Sequence, residues 1–234
     1  MTDTPEFGAL SRRAFVAGLP LFLAACQTAG GSPTASGTAS TKIATAVTGS
    51  TPVVNGYGAI TTEPFPIAAI NTKNLDPRFL RQEVSNPTRE KPGTIVVDTA
   101  NKFLYLVQDN GTARRYGVGV GREGFAWNGR AIIDRKQEWP KWHPPKEMQL
   151  RDPEAAKWPE GMPGGIGNPL GPRALYLAQN GKDTYFRIHG TTQPNSIGKA
   201  MSSGCIRMLN QDIIDLYNRV PIGTEVVVIQ SGIA

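Results

Sequence analysis

Thr94-Ile95-Val96-Val97-Asp98 and Lys102-Phe103-Leu104-Tyr105-Leu106-Val107 are two short apolar runs with a turn at Asn101 between them. Their length, their β-branched and aromatic content and that turn predict paired β-strands. The same signal recurs at 115–120, 130–135, 174–178, 185–189 and 225–229, with Asp109-Asn110-Gly111 as a further turn. Seven short strands joined by Gly- and Pro-rich turns predict a mainly β domain of the sandwich or barrel type. Gly and Pro number 26 and 19 in 234 residues and only 19% of residues are charged, which suits such a fold better than a helical bundle.

One helix is expected, with Asn210 as its N-cap and Asp212 in its first turn. Ile213, Leu216, Tyr217 and Val220 share one face, and Pro221 stops it. Between Trp139 and Pro172 lies a Pro-, Trp- and Gly-rich stretch containing Trp139, Trp142 and Trp158. Three tryptophans argue against disorder, so this insert is expected to form a lid or cleft wall, or else to pack over a sheet edge.

The start of the chain reads differently. Ser11-Arg12-Arg13-Ala14-Phe15 is a twin-arginine export pattern, and the apolar run 16–25 is too short for a membrane span of about 20 residues. The run closes on Leu23-Ala24-Ala25-Cys26, which resembles a bacterial lipobox and implies lipid on Cys26. Residues 1–25 are therefore expected to be a signal peptide and 26–91 a lipid-anchored flexible tether and lead-in. From Gln27 to about Thr62 the composition is dominated by Ser, Thr, Ala and Gly, with one Lys, no acid and no apolar period, too little to fold alone. Such a tether has a root-mean-square span of about 30 Å.

The net charge is +6, and removing residues 1–25 leaves it unchanged because Arg12 and Arg13 offset Asp3 and Glu6. A basic mature chain suits anionic wall or lipid surfaces, but there is no dense Lys/Arg run, so nucleic acid is not an expected partner. Two cysteines are too few for a disulfide framework. With Cys26 lipidated, Cys205 is a lone thiol in an oxidising compartment, which points to chemistry.

That chemistry is readable at Arg187-Ile188-His189-Gly190-Thr191-Thr192, followed by Ser202-Ser203-Gly204-Cys205-Ile206-Arg207. A thiol near pKa 8.5 is mostly protonated at neutral pH and needs an imidazole to take its proton. Alternation along 185–189 places Tyr185, Arg187 and His189 on one face and turns His189 away from the core. Gly204 permits a tight turn before Cys205, and the amides of Gly204 and Cys205 are candidate oxyanion donors. Arg207, two residues on, suits a substrate carboxylate or a structural salt bridge.

The His-Gly dipeptide, followed 16 residues after the His by Cys in Ser-x-Gly-Cys-hydrophobic-Arg, resembles the L,D-transpeptidase family with its YkuD-type catalytic domain. The resemblance spans roughly 92–231. It implies a mainly β, sandwich-like catalytic domain with one or two short helices and the Pro/Trp-rich insert. It further implies that Cys205 is acylated by a peptidoglycan peptide stem, that His189 is base and then acid, and that Gly190 orients the imidazole through its carbonyl. Ser202, Ser203, Gly204 and Arg207 then shape the site, no cofactor or metal is required, and the location is the periplasmic face of the cell envelope. Two departures stand out: Ser203 occupies a position where many relatives have His, and Trp127-Asn128-Gly129-Arg130 replaces a Thr-Pro-x-Gly pattern.

Other readings remain open at this point. Cys205, His189 and His143 could ligate zinc, although no metal spacing appears. The domain could be a wall-binding module without catalysis. Water could also replace the acceptor amine, giving a hydrolase.

Overall fold

The computed structural model describes residues 51–52, 56–122, 127–202, 204–230 and 232–233. Strands are β1 (Thr51–Pro52), β2 (Gln82–Ser85), β3 (Ile95–Asp98), β4 (Phe103–Val107), β5 (Thr112–Gly117), β6 (Val120–Gly121) and β7 (Gly129–Glu138). Short helices α1 (Lys146–Arg151) and α2 (Pro153–Ala156) precede β8 (Arg173–Gln179), β9 (Lys182–His189), β10 (Ala200–Ser202) and β11 (Ile206–Arg207). Helix α3 (Asn210–Arg219) and β12 (Glu225–Ile229) complete the described elements. Each of the seven expected strands is present, so the mainly β expectation holds.

Ten strands form one sheet in the order β1-β2-β5-β4-β3-β12-β7-β8-β9-β11, with β6 and β10 as a separate parallel pair. Most pairs are antiparallel, but β3–β12 and β9–β11 are parallel. The sheet does not lie flat. Gly119, just after β5, exchanges backbone hydrogen bonds of 2.9 and 2.8 Å with Arg207 on the terminal strand β11. The sandwich-like enclosure thus comes from one sheet curled on itself, and the curl closes at Arg207.

Ile95, Val97, Leu104, Ile133, Leu175, Leu177 and Ile188 are fully buried inside the curl, where Ile213 and Leu216 of α3 and its C-cap Val220 fill the remaining space. Truncating one such Leu or Ile to Ala costs about 2–5 kcal/mol. The run 95–97 is continuously apolar because Val96 packs on the opposite face with Tyr105, Val107 and Ala113. A central strand covered on both faces loses its alternation. Gly129 and Arg130 of the unusual Trp127–Arg130 stretch open β7 and pair with Val228 and Val227.

One expectation is corrected. The N-cap of α3 is Leu209, which makes no side-chain capping bond. Asn210 is already helical, and its Oδ1 accepts the Thr191 N–H at 2.9 Å, a buried loop donor that would otherwise go unmet. Residues ahead of 92, expected as tether and lead-in, also make packed contacts with later ones. Tyr57, Phe79 and Leu80 pack with Ile197 and Leu209, and Arg81 reaches Asp215 at 3.3 Å and Asp212 at 3.7 Å on α3. Tyr57 donates to Asp212 at 3.2 Å and accepts from the Arg81 amide at 2.6 Å. These long-range pairings are invisible to local composition, which is why 56–62 read as tether. The export motif and Cys26 lie outside the described residues.

The 139–172 insert is ordered and short-helical. Trp142 and Met162 exchange backbone hydrogen bonds of 2.8 and 2.7 Å. Buried Asn168 donates to the carbonyls of Pro140 and Pro163, each at 3.0 Å. Glu63 ties the insert's start to the sheet, accepting from Trp139 Nε1 at 2.9 Å and from Arg173 at 2.6 and 3.0 Å. Burial works to raise the Glu63 pKa, but the Arg173 and Trp139 hydrogen bonds outweigh it and hold the carboxyl below its ordinary value. Among the described residues no helix is long and apolar enough to cross a membrane.

Candidate active site

Strands β9 and β11 run parallel with Ile206 opposite Ile188 and Arg207 opposite His189. Side chains alternate across a strand, so Ile188 and Ile206 point into the core while His189 and Arg207 share the other face. Continuing that register places Cys205 beside Arg187. Four chemically active side chains therefore occupy one small square, with Cys205 and His189 on its diagonal, and both line the same pocket.

His189 is held rather than merely placed. Its Nδ1 lies 2.6 Å from the Gly190 carbonyl oxygen, and because a carbonyl only accepts, Nδ1 carries the proton and Nε2 keeps its lone pair. Its own carbonyl accepts the Met208 N–H at 2.8 Å, locking β9 to the chain beyond β11. Gly190 is required there: an added Cβ would collide with Asn210 Oδ1 and sit 2.9 Å from Pro172 Cδ. The same Asn210 oxygen that excludes a side chain at 190 receives the Thr191 amide.

The Cys205 loop is fixed by Ser202. Its Oγ donates to the Cys205 carbonyl at 2.6 Å and accepts the Gly204 N–H at 3.2 Å. Gly204 has φ 122°, a conformation that disfavours side chains. The Gly204 amide is thus engaged within the loop, which counts against its expected use as an oxyanion donor. Ser203 lies outside the described residues.

Charge in the site follows from burial. His189 is 5% exposed, and desolvation pushes its pKa down to about 4; the Gly190 bond opposes this, while Arg207 and Arg187 add to it. Burial likewise raises the half-buried Cys205 thiol, against the backbone of Arg187 and the charges of Arg187 and Arg207. Both groups are therefore neutral at rest near pH 7, a thiol and an imidazole lining one pocket. Arg207 Nη1 donates to neutral Gln193 at 3.1 Å and, among the described residues, pairs with no carboxylate. The structural salt bridge considered for it is not formed there.

Two pockets meet at Cys205. One, of about 440 Å³, contains His189, Arg207, Ser202, Asp152 and Thr191. The other, of about 700 Å³, contains Arg135, Lys141, His143, Tyr176 and Arg187. Trp142, Pro145, Leu170 and Tyr185 border both, so the insert serves as a cleft wall. Sequence reading missed Arg135, Tyr176 and Asp152, which carry no motif. His143 lines only the second pocket, away from His189, and among the described residues no three His, Cys, Asp or Glu side chains are grouped as a metal site needs.

Residues 92–228 match a family model described as the L,D-transpeptidase catalytic domain, YkuD. The chain is 31% identical over 155 residues to the probable L,D-transpeptidase ErfK/SrfK of Escherichia coli, covering 65% of this chain and 48% of that one. It is 52% identical over 61 residues to the putative L,D-transpeptidase YkuD of Bacillus subtilis, covering 26% and 37%. A solved structure from Brucella melitensis, described as a probable carnitine operon oxidoreductase, is 55% identical and covers 68% of this chain and 99% of that one, with a TM-score of 0.46. The chain spans about half the length of the curated relatives from Escherichia coli and Salmonella typhimurium that it matches.

Proposed function

The chain belongs to the L,D-transpeptidase family, and on that premise we propose that it forms a cysteinyl acyl-enzyme with a peptidoglycan tetrapeptide stem and passes the acyl group to an amine. The observation that carries this reading is the His189 Nδ1 contact to Gly190, which leaves Nε2 free as a base in the pocket shared with Cys205.

In the first step Cys205 Sγ attacks the carbonyl between an L-centre and the terminal D-residue while His189 Nε2 takes the thiol proton. The tetrahedral oxyanion is met by the Cys205 amide, the Gly204 amide being engaged with Ser202. The C–N bond then breaks, His189 returns its proton to the departing amine, and a thioester remains. In the second step an acceptor amine adds to the thioester and gives a proton to His189. The C–S bond breaks, and the sulfur is reprotonated.

Both amines exchange protons with His189, so both occupy the His189 pocket in turn. Arg207, cationic and without a carboxylate partner among the described residues, is placed to hold the terminal carboxylate of the D-residue. The retained acyl segment then extends into the second pocket. Room on both sides of Cys205 favours an amine acceptor over water.

The proposed setting is the periplasmic face of the envelope, with export directed by residues 11–25 and lipid on Cys26 serving as the membrane anchor. A mature N-terminus at an acylated Cys26, read by intact mass from purified envelopes, supports the anchor; any other N-terminus removes it. The reaction is tested by incubating the purified protein with tetrapeptide muropeptides. Crosslinked product supports transfer, free tripeptide indicates a hydrolase, and no product in any assay would leave a wall-binding module.

A further inference from the structure

The second pocket at Cys205 is lined by Arg135, Lys141 and Arg187 and by no acidic side chain. Arg187 is answered just outside it by Asp183, at 2.7 and 2.8 Å. Arg135 and Lys141 have no ion-pair partner among the described residues. Arg135 is nevertheless held in place: its guanidinium carbon lies 3.8 Å from the Tyr176 ring centroid, and Arg187 sits 4.5 Å from the same centroid. Tyr176 is itself fixed by donating to Gln137 Oε1 at 2.7 Å.

Gathering cations around one ring beside the nucleophile costs Coulomb repulsion, which Asp183 relieves by accepting hydrogen bonds from Arg187 and only through space for Arg135. The arrangement also leaves planar guanidinium donors facing a cavity with apolar walls at Trp142, Pro145 and Leu170. A carboxylate is the anion whose geometry such a fork accepts. The amine exchange at His189 leaves this pocket to the acyl segment that stays on Cys205.

We propose that Arg135 and Lys141 form a carboxylate subsite that selects acyl donors carrying a free acid on the retained segment. The assignment rests on the acyl-transfer reading above and adds to it a substrate feature, a free carboxylate on the acyl side of the scissile bond. Arg207 and this subsite then grip one donor at two carboxylates, one on each side of Cys205.

The test compares two tetrapeptide donors that end in the same D-residue, one with its side-chain carboxylate free on the residue bearing the scissile carbonyl and one with that group amidated. The readout is the ratio of their kcat/KM values for acyl-enzyme formation on the full-length protein. Wild type favours the free acid by about tenfold, as a charge-assisted contact implies, and Arg135→Gln and Lys141→Gln each move the ratio towards one. Arg135→Lys keeps part of the preference. Equal use of both donors by wild type, or variants that slow both donors equally and leave the ratio intact, would overturn the subsite while leaving acyl transfer standing. If wild type acylates with neither donor, the acyl-transfer reading itself fails and the subsite falls with it.

Discussion

His189 Nδ1 approaches the carbonyl oxygen of Gly190, the next residue in the chain, at 2.6 Å. This imidazole is thus oriented by its own backbone, where other cysteine enzymes use a third side chain for the base. A carbonyl fixes the tautomer but brings no negative charge to stabilise an imidazolium, and burial disfavours that cation further. The resting pair is consequently neutral.

This sets the pH dependence. His189 has its folded pKa pushed from 6.5 down to about 4, so kcat/KM for acylation should hold through mild acid and fall only as pH drops through about 4. The same shift means that the unfolded chain binds more protons in that window. The contribution of His189 to stability is complete above 6.5 and is lost as pH falls through 4. Cys205 is raised above 9.0, so its alkylation rate should still be climbing at pH 9. An acid limb near 6.5 in the rate profile would contradict the neutral pair.

Gly190 and Asn210 should behave as one unit. Gly190→Ala drives a Cβ into Asn210 Oδ1 and is expected to cost about 1–3 kcal/mol by overpacking, with loss of activity because the His189 carbonyl partner moves. Asn210→Ala leaves the Thr191 amide unmet and costs about 1–3 kcal/mol. The double variant removes the clash with Asn210 and leaves the 2.9 Å approach to Pro172 Cδ, so its loss should be smaller than the sum of the two without vanishing, measurable by denaturant titration. Strict additivity would show that the contact between 190 and 210 is not what excludes the side chain.

Much of this was legible in the chain itself. The seven strands announce themselves because each packs one or both faces on a core, and the Cys205 loop is legible because its glycine, serine and cysteine are adjacent in sequence. What local reading could not supply depends on register. Asn210 looks like a cap from its neighbours alone, yet its oxygen goes to Thr191, 19 residues away. Arg135 and Tyr176 meet only because β7 pairs with β8 through an irregular register between Ile133 and Arg135. Arg81 reads as a surface residue until its partners on α3 are in place.

Arg207 distinguishes substrate binding from structural support. Arg207→Gln gives up only the Gln193 contact seen in the free protein, so its melting temperature should stay close to wild type. Its KM for a donor with a terminal carboxylate should rise by roughly 10- to 100-fold, the range implied by loss of a charge-assisted hydrogen bond. Arg207→Lys should restore part of the affinity because it keeps charge without the fork. A large fall in melting temperature with unchanged KM would assign Arg207 to the fold.

The central claim is that Cys205 carries the acyl group, and intact-mass spectrometry of the protein mixed with a tetrapeptide stem tests it most directly. The expected result is a protein heavier by the tripeptide acyl group, one free D-amino acid released per adduct, the added mass located on Cys205, and none of this in Cys205→Ala. No adduct on wild type, together with Cys205→Ala matching wild type in every product assay, would contradict it.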